Sequence, residues 1–123
     1  MSDASSPSRF EHLTIEKQDG ANGLCIMVVT GPLTLRTLFD FQEAARAESR
    51  PVIVDIHNVP YMDSAGLGSV IGLFVSCQRH NRGFGIVGLS ERIRTLFQVT
   101  HVDGMLPCFD SLEAASAAII GAA

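Results

Sequence analysis

Residues 51–68 constrain the fold more than any other stretch. Pro51 is followed by Val52-Ile53-Val54-Asp55-Ile56, a β-branched run that reads as a buried strand. Asn58 and Pro60 punctuate a turn. Asp63 and Ser64 then stand directly before an apolar-periodic segment, and both residue types favour the N-cap of a helix. A serine placed there lies at the surface, at the positive end of a helix dipole. A phosphate fits such a position without disturbing a core, so Ser64 reads as a switch.

The flanking sequence repeats the alternation. Residues 1–9 are Ser-rich and are expected to form a disordered tail, with a single domain over 10–123. Phe10 to Lys17 and Leu24 to Thr30 read as strands of an antiparallel hairpin around Asp19-Gly20-Ala21-Asn22-Gly23. Thr34 is expected to cap a helix with Leu35, Leu38, Phe39, Gln42 and Ala45 on one face. After Ser64, the spacing of Leu67, Val70, Ile71, Phe74 and Gln78 predicts a helix reaching Gln78 or Arg79. Gly68 and Gly72 inside it imply close approach to the sheet, because an interior glycine costs about 1 kcal/mol against alanine. Phe84 to Leu89 predicts a fourth strand, and Ser90 caps a helix carrying Ile93, Leu96 and Phe97. Met105 to Phe109 predicts a short edge strand, since Pro107 lacks an N–H. Asp110-Ser111 caps a last Ala-rich helix. The fold class is α/β: a mixed sheet of about five strands, opening on a hairpin, with about four helices.

The segment Asp63-Ser64-Ala65-Gly66-Leu67, after the strand Val52 to Ile56, resembles the signature of the STAS family, specifically bacterial anti-sigma factor antagonists. The resemblance covers roughly residues 10 to 120. It implies a non-enzymatic protein whose unphosphorylated form binds an anti-sigma factor that is itself a serine kinase, freeing a sigma factor. It implies phosphorylation at Ser64 and reversal by a phosphoserine phosphatase. It places partner contacts on Tyr61, Met62, Asp63, Ser64, Ala65 and Gly66. Asp63 is expected to serve recognition more than folding. Tyr61 and Met62 either pack beneath the turn or touch the partner. Members usually carry acids where this chain has Pro32 and Thr34, which bears on partner choice. Two other roles remain open: a STAS subunit of a signalling assembly, or of an ABC-type lipid transporter.

Composition narrows the field. A net charge of −4 argues against a nucleic-acid-binding face. Apolar stretches are too short to cross a bilayer, and the early Asp3 does not fit a secretory signal, so direct membrane contact is not expected and a cytoplasmic location is. Cys25, Cys77 and Cys108 are widely spaced and read as buried or half-buried thiols; the four histidines are scattered, and no metal or other cofactor is expected. Arg79, Arg82, Arg92 and Arg94 read as a solvated surface. A serine hydrolase would need glycine where Met62 stands. A dinucleotide loop would need its third glycine closer than Gly72.

Overall fold

The computed structural model describes residues 12–121, so the tail expected over 1–9 lies outside the described residues. Five strands form one sheet in the order β1-β2-β3-β4-β5. β1 (Thr14–Asp19) runs antiparallel to β2 (Cys25–Thr30); β3 (Val52–Asn58), β4 (Phe84–Val87) and β5 (Cys108–Phe109) follow in parallel. Four α-helices complete the fold: α1 (Leu38–Arg46), α2 (Ser64–Arg79), α3 (Glu91–Val99) and α4 (Leu112–Gly121). The mixed α/β class, the opening hairpin and the edge position of the last strand are as the sequence implies.

Successive parallel strands are neighbours, so every crossover steps the same way across the sheet. Right-handed connections then put α1, α2 and α3 on one face. Their buried residues, among them Phe41, Val70 and Phe97, meet Met27, Val54 and Ile86 in the main core. α4 covers the other face, where Ala115 sits with Leu24, Ile53 and Val87 in a smaller cluster. β3 is therefore covered on both sides, which is why its sequence is a β-branched run without alternation.

Five expectations need correction. β1 runs from Thr14 to Asp19 rather than ending at Lys17. The last strand shrinks to Cys108–Phe109, with the Pro107 carbonyl accepting from the Ile86 N–H at 2.9 Å. The first helix begins at Leu38, not after a Thr34 cap. Thr37 is the cause: its hydroxyl donates to the Pro32 carbonyl (2.8 Å) and accepts from the Thr34 N–H (2.9 Å), closing the loop on itself. The helix phase turns accordingly, so Leu38 and Phe41 are buried while Leu35 (66% exposed) and Phe39 (70% exposed) face solvent. In α2, Gln78 is exposed and Leu73 and Cys77 take the inward positions. Gly68 and Gly72 are exposed too, and a Cβ on either would meet nothing within 4 Å. The expected close approach is not there, and neither glycine lies in a loop that could cradle a phosphate.

The N-terminal ends of the parallel strands are tied by a buried carboxylate. Glu48 accepts from the Arg50 backbone N–H (2.9 Å) and from its Nε (2.8 Å), and pairs with Lys17 Nζ at 3.3 Å. The Arg50 guanidinium holds the Glu48 carboxyl well below the usual carboxylate range, outweighing the opposing effect of burial. Arg82 is not a solvated cation: it donates to the Glu48 and Arg50 carbonyls at 3.0 and 2.9 Å. Burial, followed by the neighbouring Glu48 carboxylate, pushes the Cys25 thiol up to about 11.

Candidate functional site

The Ser64 turn lies at the opposite, C-terminal end of the parallel strands. β3 ends at Asn58, whose carbonyl accepts from the Gly31 N–H at 3.0 Å. Gly31 has a φ of +110°, and a side chain there would strike the His12 carbonyl, so this position requires glycine. Beyond it the two chains stay paired: Leu33 and Met62 form a parallel bridge, and the Leu33 N–H donates to the Tyr61 carbonyl at 3.2 Å. The segment leaving β2 is therefore laid alongside the segment entering α2.

Asp63 is the N-cap of α2. Its Oδ1 accepts from the Gly66 N–H at 2.8 Å, satisfying a helix-start donor. Its Oδ2 accepts from the Leu35 N–H at 3.1 Å, fastening the neighbouring loop to the helix start. The two cap candidates in the sequence thus divide their tasks. Asp63 holds the structure with both oxygens, whereas Ser64, the first residue of the helix, is exposed. Asp63 is consequently more of a folding residue than the sequence suggests.

Gly66 supplies the close contact that was expected farther along the helix. A Cβ on it would run into the Leu33 carbonyl. Met62 and Gly66 are both buried and present no open surface, so Met62 takes the packing role. Tyr61 is 38% exposed, and the Arg92 guanidinium sits over its ring, 5.7 Å from the centroid. Ser64 and Tyr61 form the open part of the turn, with Asp63 and Ala65 half-buried. Thr37 was missed from sequence, and Leu35 and Phe39, expected on the shared helix face, are exposed. The signal was present: Leu38, Phe41 and Ala45 give an equally good helical spacing on a face rotated from the expected one.

Pro32 and Thr34 stand where acids were expected, and the structure gives both a local task. Pro32 is buried with its carbonyl bonded to Thr37, and Thr34 Oγ1 accepts from the Arg36 N–H at 3.2 Å. Among the described residues no helix is long and apolar enough to cross a membrane, and no group of His, Cys, Asp and Glu could hold a metal ion.

The five-stranded mixed sheet and its serine turn define an α/β domain of the STAS type. The chain belongs to the STAS-domain family, whose model matches residues 12–115. It is similar to the anti-sigma-B factor antagonist of Staphylococcus aureus (strain NCTC 8325 / PS 47), with 30% identity over 89 residues, 69% of this chain and 82% of the relative. It is also similar to the solved structure of an anti-sigma factor antagonist from Mycobacterium paratuberculosis (TM-score 0.78, 21% identity, 88% of this chain and 94% of that one). The anti-sigma factor antagonist SpoIIAA in its unphosphorylated form is a further structural neighbour (TM-score 0.66, 14% identity, 89% of this chain and 100% of that one). At these identities the two structures speak for the fold alone. The relatives are named as regulators rather than as catalysts.

Proposed function

We propose that this chain is an anti-sigma factor antagonist, active when Ser64 is unmodified and switched off when Ser64 is phosphorylated. The observation that carries the reading is the exposed Ser64 at the first position of α2, beside a cap made entirely by Asp63. The helix start does not depend on the serine hydroxyl, which is free to be modified. The name of the Staphylococcus aureus relative supports the same role. The partner is an anti-sigma factor that is also a serine kinase, the protein itself is not an enzyme, and a phosphoserine phosphatase resets it.

The physics of the switch follows from the position. Phosphorylation adds about −1.5 to −2 charges. At the N-terminus of α2 the helix dipole favours them, so the fold survives. At an interface shaped for a neutral hydroxyl next to the Asp63 carboxylate, they bring repulsion and a desolvation penalty. Charges about 6 Å apart at an effective dielectric near 20 repel by about 3–5 kcal/mol before screening. Half of that weakens binding by about tenfold or more.

The test uses purified kinase-type anti-sigma factors from the same genome, ATP, and mass-spectrometric site mapping. Phosphate on Ser64, with loss of the complex, is the expected result. Ser64→Ala should bind and not be released. Modification at Ser69 or Ser90 in place of Ser64, or stable binding only to a transporter or a large signalling assembly, would overturn the reading.

A further inference from the structure

Arg92 is a cation without an anion. It is the second residue of α3, exposed, and among the described residues no carboxylate pairs with it. The positive end of its own helix dipole disfavours a cation there. What it touches is the face of Tyr61, an exposed ring on which a cation gains little in water. That ring belongs to the Ser64 turn. Met62 is buried and bridged to Leu33, so Tyr61 and Asp63, flanking it in extended chain, point the other way, about 7 Å apart. Ser64 follows Asp63 directly, and three residues of chain hold it within about 10 Å of Tyr61. The Asp63 carboxylate does not take the guanidinium, because its two oxygens serve the Gly66 and Leu35 N–H groups. An unpaired guanidinium on a long side chain therefore rests beside the serine, in a contact it can exchange for a stronger one.

We propose that Arg92 receives the Ser64 phosphate: on phosphorylation its guanidinium leaves the Tyr61 ring and pairs with the phosphate oxygens. This deepens the switch reading above and rests on it. The unmodified serine offers only a neutral hydroxyl, and the guanidinium stays on the ring. A phosphate brings close to two negative charges and three acceptor oxygens, which a guanidinium meets with two parallel N–H bonds. Lysine would supply the charge without the planar fork. The exchange ties α3 to the start of α2 through the phosphate and bares the Tyr61 ring. An anti-sigma factor then meets a face changed in shape as well as in charge.

The test uses the full chain with phosphoserine placed at position 64 during synthesis, so that no kinase is needed. The phosphate is titrated by phosphorus NMR in wild type, Arg92→Gln and Arg92→Lys. Tyr61 is the single tyrosine and the chain has no tryptophan, so tyrosine emission reports on that ring alone. The expected result is a phosphate that loses its second proton at lower pH in wild type than in Arg92→Gln, by about half a unit or more, because a neighbouring cation favours the dianion. Arg92→Lys should fall between the two. The phosphate should change Tyr61 emission in wild type and far less in Arg92→Gln. Unmodified Arg92→Gln should melt as wild type does, as befits an exposed side chain. Equal titration in wild type and Arg92→Gln overturns the proposal, and so does wild-type Tyr61 emission that the phosphate leaves unaltered. Either result leaves the antagonist reading standing, since neither kinase nor anti-sigma factor enters the measurement. Failure of that reading shows instead as Ser64 left unmodified in the kinase assay above, and takes the inference with it.

Discussion

Gly66 on α2 lies so close to the carbonyl of Leu33 that no side chain fits between them. The same carbonyl accepts the Asp63 N–H at 3.3 Å, so one peptide group of the loop after β2 receives the whole start of the helix. The contact sets the height of the Ser64 turn above the sheet.

Gly66→Ala should therefore destabilise the domain by about 3 kcal/mol, because backbone must move to admit the methyl group. Gly68→Ala and Gly72→Ala should each stabilise it by about 0.5–1 kcal/mol, since both positions are exposed, helical and unobstructed. Denaturant melts of the three variants check the opposite signs.

Asp63→Ala removes acceptors for two backbone N–H groups and should cost about 2 kcal/mol. Asp63→Asn keeps the cap oxygen but turns an amide toward the Leu35 N–H, and should cost about 1 kcal/mol. Ser64→Ala should change stability by less than about 0.5 kcal/mol, as expected of an exposed site. Thermal or chemical unfolding that ranks Ser64→Ala as the most damaging of the three would contradict the division of labour at the cap.

The folded-state pKa of Glu48 lies below its unfolded value. Its contribution to stability is complete above about pH 5 and is lost progressively as the pH falls toward the folded value. Wild type should lose stability between pH 5 and pH 2 more steeply than Glu48→Gln. At pH 7 that variant should be weaker by about 1–3 kcal/mol, a figure reduced because Arg50 is partly solvated. Parallel pH series of melts give both quantities.

Thiol reactivity should follow burial. Cys108 is half-buried, whereas Cys25 and Cys77 are fully buried, and all three thiols are pushed up by burial. A small maleimide at pH 7 should label Cys108 first, and Cys25 and Cys77 only on unfolding. Peptide mapping against time gives the order; early labelling of Cys25 would argue against the packing at the foot of β2.

The parts legible in the sequence are those decided by neighbours along the chain. β3, its turn and α2 could be placed from Val52 to Gln78 because period and cap are local signals. Ser90 and Ser111 were legible for the same reason, and both accept the expected N–H, from Ile93 at 3.2 Å and from Ala114 at 3.0 Å. The start of α1 was not legible. It depends on the Thr37 hydroxyl finding the Pro32 carbonyl, and on Asp63, which reaches Leu35 from 28 residues away. The three glycines of α2 look alike on paper, and only the loop after β2 distinguishes Gly66. Glu48 reads as a surface acid until Lys17, Arg50 and burial are known together.

α4 buries a single residue, Ala115, where α1 and α3 each bury two. Ala115, with Leu112 and Ile119, meets Leu24, Ile53 and Val87 in a cluster separate from the main core. Its amide protons should therefore exchange with solvent through a partial opening, while those of β2, β3 and α2 await global unfolding. Each such opening bares a strip of Leu24, Ile53 and Val87 on an otherwise intact sheet. Under heat or crowding, that strip is where copies of the chain would first adhere, so resistance to aggregation is set by the last helix rather than by the core.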